Sequence, residues 1–157
     1  MPKDTRKLYF AYGSNMNQER LESRVGKVER LGVFKLYRYV LVFNAGDANF
    51  GRFANLCKTG LVKDYTEGVI YKLTTTQVIT LDKYEGAPEA YNRVIEKIRI
   101  PKLGVRSIIV YIDINESYIH KDSLVPIQRE YLNHLIAGCT QNDLKFTRNI
   151  ITKTFGI

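Results

Sequence analysis

The sequence predicts an α+β fold, a mixed or antiparallel β-barrel with helices packed around it, as a single domain over residues 1–157. The length suits one compact domain with a real core, and no repeat or Pro/Gly/Ser-rich linker divides the chain. Strand-like segments dominate the middle of the chain, whereas helical segments are inserted among them or follow them. This order differs from the regular strand–helix alternation of a Rossmann fold.

The first elements are a short strand and a helix. Residues 8–12 form an apolar run that indicates a strand, and a Gly-Ser turn leads from it into a helix over about residues 16–24. Asn15 is the expected cap of this helix, because Gln18 follows three residues later as in a capping box. Gly26 is the expected end of the helix.

The central segment predicts three strands and one loop. Residues 33–44 are rich in β-branched and aromatic side chains and predict one long strand, and the Gly, Asp and Asn residues of 45–52 predict a loop. Residues 54–57 and 66–73 predict two more strands, the second with apolar side chains at every other position.

A helix is predicted over residues 75–84. Thr74 is its expected cap and Gln77 the third helical residue, which again fits a capping box. Gly86 and Pro88 are expected to end it.

The last third predicts a hairpin and two helices. Residues 91–100 and 105–112 are strands around a Pro-Lys-Leu-Gly turn. A helix begins at Pro126 and continues to about residue 137, where Gly138 is its expected end, and a final helix covers about residues 143–153.

The composition excludes several classes of function. Cys57 and Cys139 are far apart in sequence and form no C-x-x-C motif, so we expect free thiols. His120 and His134 have too few partners for a zinc site. No metal and no cofactor are therefore expected.

The charge and the hydropathy pattern bear on partners and location. The net charge of +8 is spread along the chain, so no nucleic-acid partner is expected, although the charge can attract anionic small molecules. No apolar run is long enough for a membrane span, and the charged N-terminal segment is unlike a secretory signal. A cytoplasmic location without membrane association is expected.

The turn at Tyr12-Gly13-Ser14-Asn15 is the first candidate site. A strand that turns sharply into a helix leaves successive N–H groups without intrahelical partners, and the helix dipole adds positive potential there. Gly13 would let a ligand approach the backbone. On these grounds alone, an ordinary capped turn is an equally good interpretation.

Glu85 is the second candidate. It lies at the C-terminal end of a predicted helix, where the partial negative charge tends to raise the pKa of a carboxyl group. A carboxyl group with a pKa near neutrality can act as a general acid and base. Considered by itself, however, a surface glutamate before a helix-ending glycine is the better interpretation.

The two motifs together resemble a known family. Tyr-Phe-Ala-Tyr-Gly-Ser-Asn at residues 9–15 and Leu-Asp-x-x-Glu-Gly at 81–86 are similar to motifs of the γ-glutamylcyclotransferase family and its AIG2-like relatives. The strand Gly-Val-Ile-Tyr-Lys-Leu at 68–73, the segment Val-Ile-Glu at 94–96 and the helix at 131–138 also resemble that family.

The resemblance implies an enzyme that cyclises a small γ-glutamyl substrate to 5-oxoproline and releases an amino acid or amine. Glu85 would be its acid/base, and loop 46–52 is hypothesised to select the rest of the substrate. A homodimer stays open. The residues implied to bind the substrate are Tyr9, Phe10, Ala11, Tyr12, Gly13, Ser14, Asn15, Tyr91 and Tyr131.

Several alternatives remain at this point. A γ-glutamylamine cyclotransferase and an enzyme that removes a γ-glutamyl protecting group would share these motifs. A ligand-binding protein without catalysis would keep the pocket, and the net charge alone would fit a nucleic-acid binder. Arg52, Arg93 and Tyr111 are expected outside the site, and Asp82 is expected to face water.

Overall fold

The computed structural model describes residues 3–47, 51–87, 90–114 and 125–157. These residues form strands and α-helices together with a short 3₁₀ helix at Ser14–Met16. In chain order the elements are β1 (Lys7–Ala11), α1 (Gln18–Val25), β2 (Glu29–Tyr37), β3 (Tyr39–Asp47), β4 (Gly51–Lys58), β5 (Tyr65–Leu73), α2 (Thr75–Glu85), β6 (Asn92–Ile100), β7 (Gly104–Ile112), α3 (Arg129–Asn142) and α4 (Lys145–Phe155).

Strand β1 is the centre of a five-stranded sheet with the order β2-β5-β1-β7-β6. It pairs antiparallel with β5 and parallel with β7, while the outer pairs are antiparallel. Strands β3 and β4 form a separate two-stranded sheet. The α+β class and the mixed sheet are confirmed, but the strand pairings of the described residues do not close a barrel.

The central strands hold the core. Phe10 on β1, Ile70 on β5 and Ile108 on β7 have no exposed surface, and these strands have long buried runs, as expected where both faces of a sheet are covered. Outer strand β6 instead alternates between partly buried and exposed side chains. The turn that follows β1 is therefore attached to the best-buried strand pairings in the sheet.

The long strand expected over residues 33–44 is wrong: the chain forms two strands there, which enter different sheets. The break is at Arg38, whose φ is 75°. Strand β2 pairs with β5, and β3 leaves to pair with β4. The pattern of β-branched and aromatic residues predicts strand correctly on both sides but gives no signal for the reversal.

The loop expected over residues 45–52 is also largely wrong. Ala45 pairs with Phe53 and Gly46 with Arg52, so the two strands extend towards the tip of the hairpin. Gly46 has φ 97°, and an added Cβ would lie 2.1 Å from the carbonyl oxygen of Gly51. Glycine is thus needed at this position by close strand pairing, and the residues at the tip, 48–50, lie outside the described residues.

The sequence-based prediction of where α2 begins and ends is correct, unlike that for the end of α3. The capping box of α2 is confirmed, since Thr74 Oγ1 accepts from the Gln77 N–H at 3.1 Å and Gln77 Oε1 accepts from the Thr74 N–H at 2.9 Å. Gly86 ends α2 in the left-handed conformation. Pro88, the other expected end signal, lies outside the described residues.

Gly138 does not end α3 as expected but lies inside it. A Cβ at this position would be 2.7 Å from Met16 Cβ and 3.0 Å from the Asn17 nitrogen. Glycine therefore lets the helix pack directly against the 3₁₀ turn. Among the described residues, no helix is long and apolar enough to cross a membrane.

Candidate active site

The candidate site is a cavity of about 810 Å³ where the ends of β1 and α2 meet. Strands β3 and β4, the residues just before β6, the end of β7 and helices α1 and α3 complete its wall. Its lining includes most of the residues proposed from the sequence: Tyr9, Tyr12, Gly13, Ser14, Asn15, Glu85, Tyr91 and Tyr131.

Two of the residues expected to bind the substrate do not line the cavity. Phe10 and Ala11 are 0% and 1% exposed and belong to the core. Because side chains alternate along a strand, Phe10 points away from the face that carries Tyr9; its ring lies 2.4 Å from where a Cβ on Gly68 would be. Their placement fits a structural role in holding the turn.

The turn after β1 presents backbone donors. The N–H of Met16 donates to the Gly13 carbonyl at 3.0 Å, and that of Asn17 donates to the Ser14 carbonyl at 3.1 Å. Within the described part of the chain, no hydrogen bond uses the N–H of Gly13, Ser14 or Asn15. Three successive donors are thus available to an anionic group at this turn.

Asn15 does not cap α1, so that expectation is wrong. The helix begins after Asn17, whose side chain makes no cap bond either. Asn15 Nδ2 instead donates to the Tyr9 hydroxyl at 3.1 Å and to Glu85 Oε1 at 3.4 Å. The tertiary contacts outcompete the local cap, and they connect the turn directly to the glutamate.

The second polar atom of Asn15 is unusual. The residue is 3% exposed, and its Oδ1 is buried without a hydrogen-bond partner. Buried acceptors normally have a partner, because desolvation without one is costly. The same side chain that contacts Glu85 thus has one unsatisfied acceptor.

Glu85 is the last residue of α2 and is partly buried. Burial raises the pKa of its carboxyl group to about 7, an effect that Arg24 and Arg20 oppose and Asp82 reinforces. The direction agrees with the sequence-based expectation, but the main cause is desolvation rather than the helix end. Near neutral pH both forms of the carboxyl group are populated, as a general acid and base requires.

Two tyrosines of the cavity are held by β4. The Tyr91 hydroxyl donates to the Ala54 carbonyl at 2.7 Å, and the Tyr131 hydroxyl accepts from the Ala54 N–H at 3.0 Å. The ring of Tyr131 also packs edge-on against Phe53, with 4.9 Å between centroids. These contacts fix both rings as rigid walls of the cavity.

Tyr111 and Asp82 differ from their expected roles. Tyr111 lines the cavity and donates its hydroxyl proton to Asp82 Oδ1 at 2.5 Å. Asp82 also forms an ion pair with Arg93 at 3.5 Å, so it does not simply face water. This pairing connects β7 to α2 one helical turn before Glu85.

Sequence reasoning missed other cavity residues. Arg20 and Arg24 on α1 and Asp113 after β7 all line the cavity. The two arginines are four residues apart, just after the turn, and this i, i+4 spacing was the available signal. Asp113 had none, because only the tertiary fold brings it near. Among the described residues, no three His, Cys, Asp or Glu side chains are grouped to hold a metal ion.

The fold and site define a class: an α+β protein in which a strand-to-helix turn with free backbone donors faces a desolvated glutamate across one cavity. Residues 9–130 match the family model described as γ-glutamyl cyclotransferase, AIG2-like. The chain therefore belongs to this family. No curated protein sequence matches the chain.

Solved structures share the fold. An uncharacterized human protein is 22% identical to this chain, with a TM-score of 0.76. The superposition covers 96% of this chain and 87% of the human protein. A γ-glutamyl cyclotransferase is 22% identical with a TM-score of 0.75, covering 95% and 86%. A yeast γ-glutamyl cyclotransferase specific to glutathione is 13% identical with a TM-score of 0.64, covering 97% and 98%. At these identities the likeness establishes the fold alone.

Proposed function

We propose that this protein is a γ-glutamyl cyclotransferase that converts the γ-glutamyl part of a small substrate to 5-oxoproline and releases the attached amino acid or amine. One observation carries the proposal. Asn15, within the turn that offers free N–H groups, lies 3.4 Å from the carboxyl group of Glu85. An anion-holding turn and an acid/base are thus adjacent in one cavity.

The turn would bind the γ-glutamyl part of the substrate. Its three backbone donors can hold the α-carboxylate or stabilise the oxyanion that develops on the γ-carbonyl group. The carboxylate of Glu85, which Asn15 Nδ2 contacts at 3.4 Å, can accept a hydrogen bond from the α-ammonium group beside the turn. The substrate would then be folded with its amine close to its own γ-carbonyl carbon.

The proposed reaction is intramolecular acyl transfer. The α-amine nitrogen attacks the γ-carbonyl carbon and forms the C–N bond of a five-membered lactam, and the bond from that carbon to the leaving nitrogen breaks. The α-ammonium nitrogen gives up two protons as it becomes the lactam N–H. Glu85, initially ionised, takes them one after the other and passes each to the leaving nitrogen, which departs as an ammonium group. No co-reactant is consumed.

Glu85 suits both proton transfers. A pKa of about 7 makes it basic enough to take the proton and acidic enough to return it. Such general acid–base catalysis is worth roughly 10²–10⁴-fold in rate. Holding the amine near the carbonyl carbon adds an orientation effect that can be larger still.

The test is the activity of Glu85→Gln. We expect the wild-type protein to form 5-oxoproline from at least one compound in a panel of γ-glutamyl amino acids and amines. We expect the variant to lose roughly 10²-fold or more in kcat, because the amide cannot exchange the proton. Calorimetry should show that the variant still binds the same compound.

The matched control is Glu19→Gln, which alters an exposed glutamate of α1 that does not line the cavity. Its turnover should equal that of the wild type. Normal 5-oxoproline release by Glu85→Gln would refute the role of Glu85. Binding without product from the wild-type protein would instead indicate a ligand-binding member of the family.

A further inference from the structure

Helix α1 brings two arginines into the cavity. Arg20 and Arg24 are one helical turn apart, so their side chains lie on the same face of the helix. Both are partly buried, and both line the cavity that holds Glu85. Lys83, an exposed residue, lines the same cavity. Positive charge is thus concentrated beside the proposed acid/base.

Each guanidinium group is oriented by a neighbour that is not a carboxylate. Arg20 Nε donates to Ser14 Oγ at 2.9 Å, and the Arg24 guanidinium carbon lies 5.1 Å from the centroid of the Tyr84 ring. An arginine has five N–H donors, and these contacts leave most of them available. Both guanidinium groups are therefore held in position while most of their N–H groups stay free to bind a ligand.

Neither arginine forms an ion pair in the described ranges. The ion pairs there join Arg6, Lys72 and Arg93 to Asp4, Glu29 and Asp82. Burial, together with the charge of Arg24, lowers the pKa of Arg20. Glu130 and Glu85 oppose this lowering of the pKa of Arg20, but neither forms an ion pair with it. Partly desolvated like charges that lack a close counter-ion are unfavourable, so an anionic ligand would offset this cost.

The position of the pair relative to Glu85 indicates which anion would bind. Arg24 lies over the ring of Tyr84, the residue before Glu85, and Arg20 bonds Ser14, the residue before Asn15. Both arginines line the same cavity as Glu85. In the proposed reaction Glu85 protonates the leaving nitrogen. When the leaving group is an α-amino acid, its carboxylate is only two bonds from that nitrogen and falls on the same side of the cavity.

We propose that Arg20 and Arg24 form a subsite for the carboxylate of the released amino acid and so make γ-glutamyl amino acids preferred over γ-glutamyl amines. This specificity rests on the proposed cyclotransferase function. Guanidinium groups match carboxylates in shape and bind them through paired, charge-assisted hydrogen bonds. The free N–H groups of the turn remain available for the γ-glutamyl part.

The test compares a γ-glutamyl amino acid with its carboxamide, for example γ-glutamylalanine with γ-glutamylalaninamide. The two differ only in the charge of the group that the subsite would hold. Because hydrogen bonds to charged groups are worth more than neutral ones, we expect kcat/KM to favour the acid by about 10- to 100-fold. Arg24→Gln should reduce this ratio to near one mainly by lowering kcat/KM for the acid.

Arg24→Gln is the primary variant, because Arg20 also bonds Ser14 and its loss could disturb the turn. Arg24→Lys should restore part of the ratio, since it keeps the charge without the paired geometry. Arg99→Gln is the matched control: it removes one positive charge at an exposed position of β6 that does not line the cavity. Its ratio should equal that of the wild type.

The outcomes separate this inference from the function on which it rests. Equal kcat/KM for acid and amide would overturn the subsite and leave the cyclotransferase intact. An equal loss for both substrates in Arg24→Gln would also overturn it, because the arginine would then bind a group that both share. If neither these two compounds nor any other of the panel yields 5-oxoproline, the proposed function fails, and the ratio of the calorimetric Kd values for acid and amide decides the subsite: a ratio near one overturns it.

Discussion

Two helix ends meet in the cavity, and they are determined in different ways. Helix α2 begins with a capping box at Thr74 and Gln77 and ends at a left-handed Gly86. These local signals are visible in the sequence. The turn at Ser14–Met16 contains an equally good local signal in Asn15, yet that side chain caps nothing and contacts Tyr9 and Glu85 instead.

The turn takes its shape from distant parts of the chain. The Met16 carbonyl accepts from the Tyr71 hydroxyl and from Asn142 Nδ2, both at 3.1 Å. Asn17 Nδ2 lies 3.1 Å from His134 Nδ1. The difference between the two ends is that local rules place the glutamate, whereas tertiary contacts place the groups that would bind around it. Disturbing each end should therefore have different consequences.

The largest expected effect is on the pH dependence of stability, and it comes from Glu85, where the end of α2 meets the turn. Its ordinary pKa is 4.5 and its value in the folded protein is about 7, so the folded protein binds the proton more tightly than the unfolded chain does. The stability that this proton contributes is fully present below pH 4.5 and is lost as the pH rises through 7. Glu85→Gln removes the effect.

We therefore expect Glu85→Gln to gain stability relative to the wild type as the pH rises from 5 to 8, by up to roughly 3 kcal/mol. Urea unfolding of both proteins at both pH values measures it, and the contributions of all other groups cancel in the difference. A difference that is the same at both pH values would mean that the carboxyl group is not desolvated.

The sequence correctly predicted those secondary-structure elements that depend on neighbouring residues alone. The period-two pattern of β5, the capping box of α2 and the hairpin of β6 and β7 were all correct in type. It failed where one residue reverses the chain, as at Arg38, because a left-handed arginine has no sequence signal. It also failed where glycine serves packing, as at Gly138, because the neighbour that requires glycine is far away in sequence.

The same distinction explains the partial prediction of the site. Glu85 and the turn were found because each occupies a helix end and the two motifs resemble those of one family. Arg24 and Asp113 were not found. The i, i+4 spacing of Arg24 from Arg20 was the available signal for the first, whereas nothing local indicates that Asp113 faces the cavity. Strand alternation could have excluded Phe10, because its neighbour Tyr9 faces the cavity and successive side chains on a strand point to opposite faces.

The next effect tests the tertiary control of the turn. Gly138→Ala would place a Cβ 2.7 Å from Met16 Cβ, so α3 and the turn must separate. Overpacking costs about 1–3 kcal/mol and exceeds the gain of about 1 kcal/mol from replacing glycine in a helix. We expect lower stability by urea unfolding and a raised KM for the γ-glutamyl substrate, because the backbone donors shift.

Asn133→Ala is the control for this variant, since Asn133 is exposed on the same helix and forms no hydrogen bond with the turn among the described residues. It should change neither stability nor KM appreciably. If Gly138→Ala keeps both values of the wild type, the shape of the turn does not depend on its packing against α3.

The smallest effect tests the local control of α2. Thr74→Ala removes the bond from the Gln77 N–H to Thr74 Oγ1, while the Thr74 backbone N–H can still donate to Gln77 Oε1. The loss should cost about 1 kcal/mol in the free energy of unfolding. The helix stays packed through Val78 and Leu81, which are 2% and 0% exposed, so Glu85 keeps its place and kcat/KM should not change. Thr75→Ala, one residue later and outside the capping box, is the control and should not lower stability. A loss of kcat/KM in Thr74→Ala would show that the start of the helix also positions its far end, and the two helix ends would then not be independently determined.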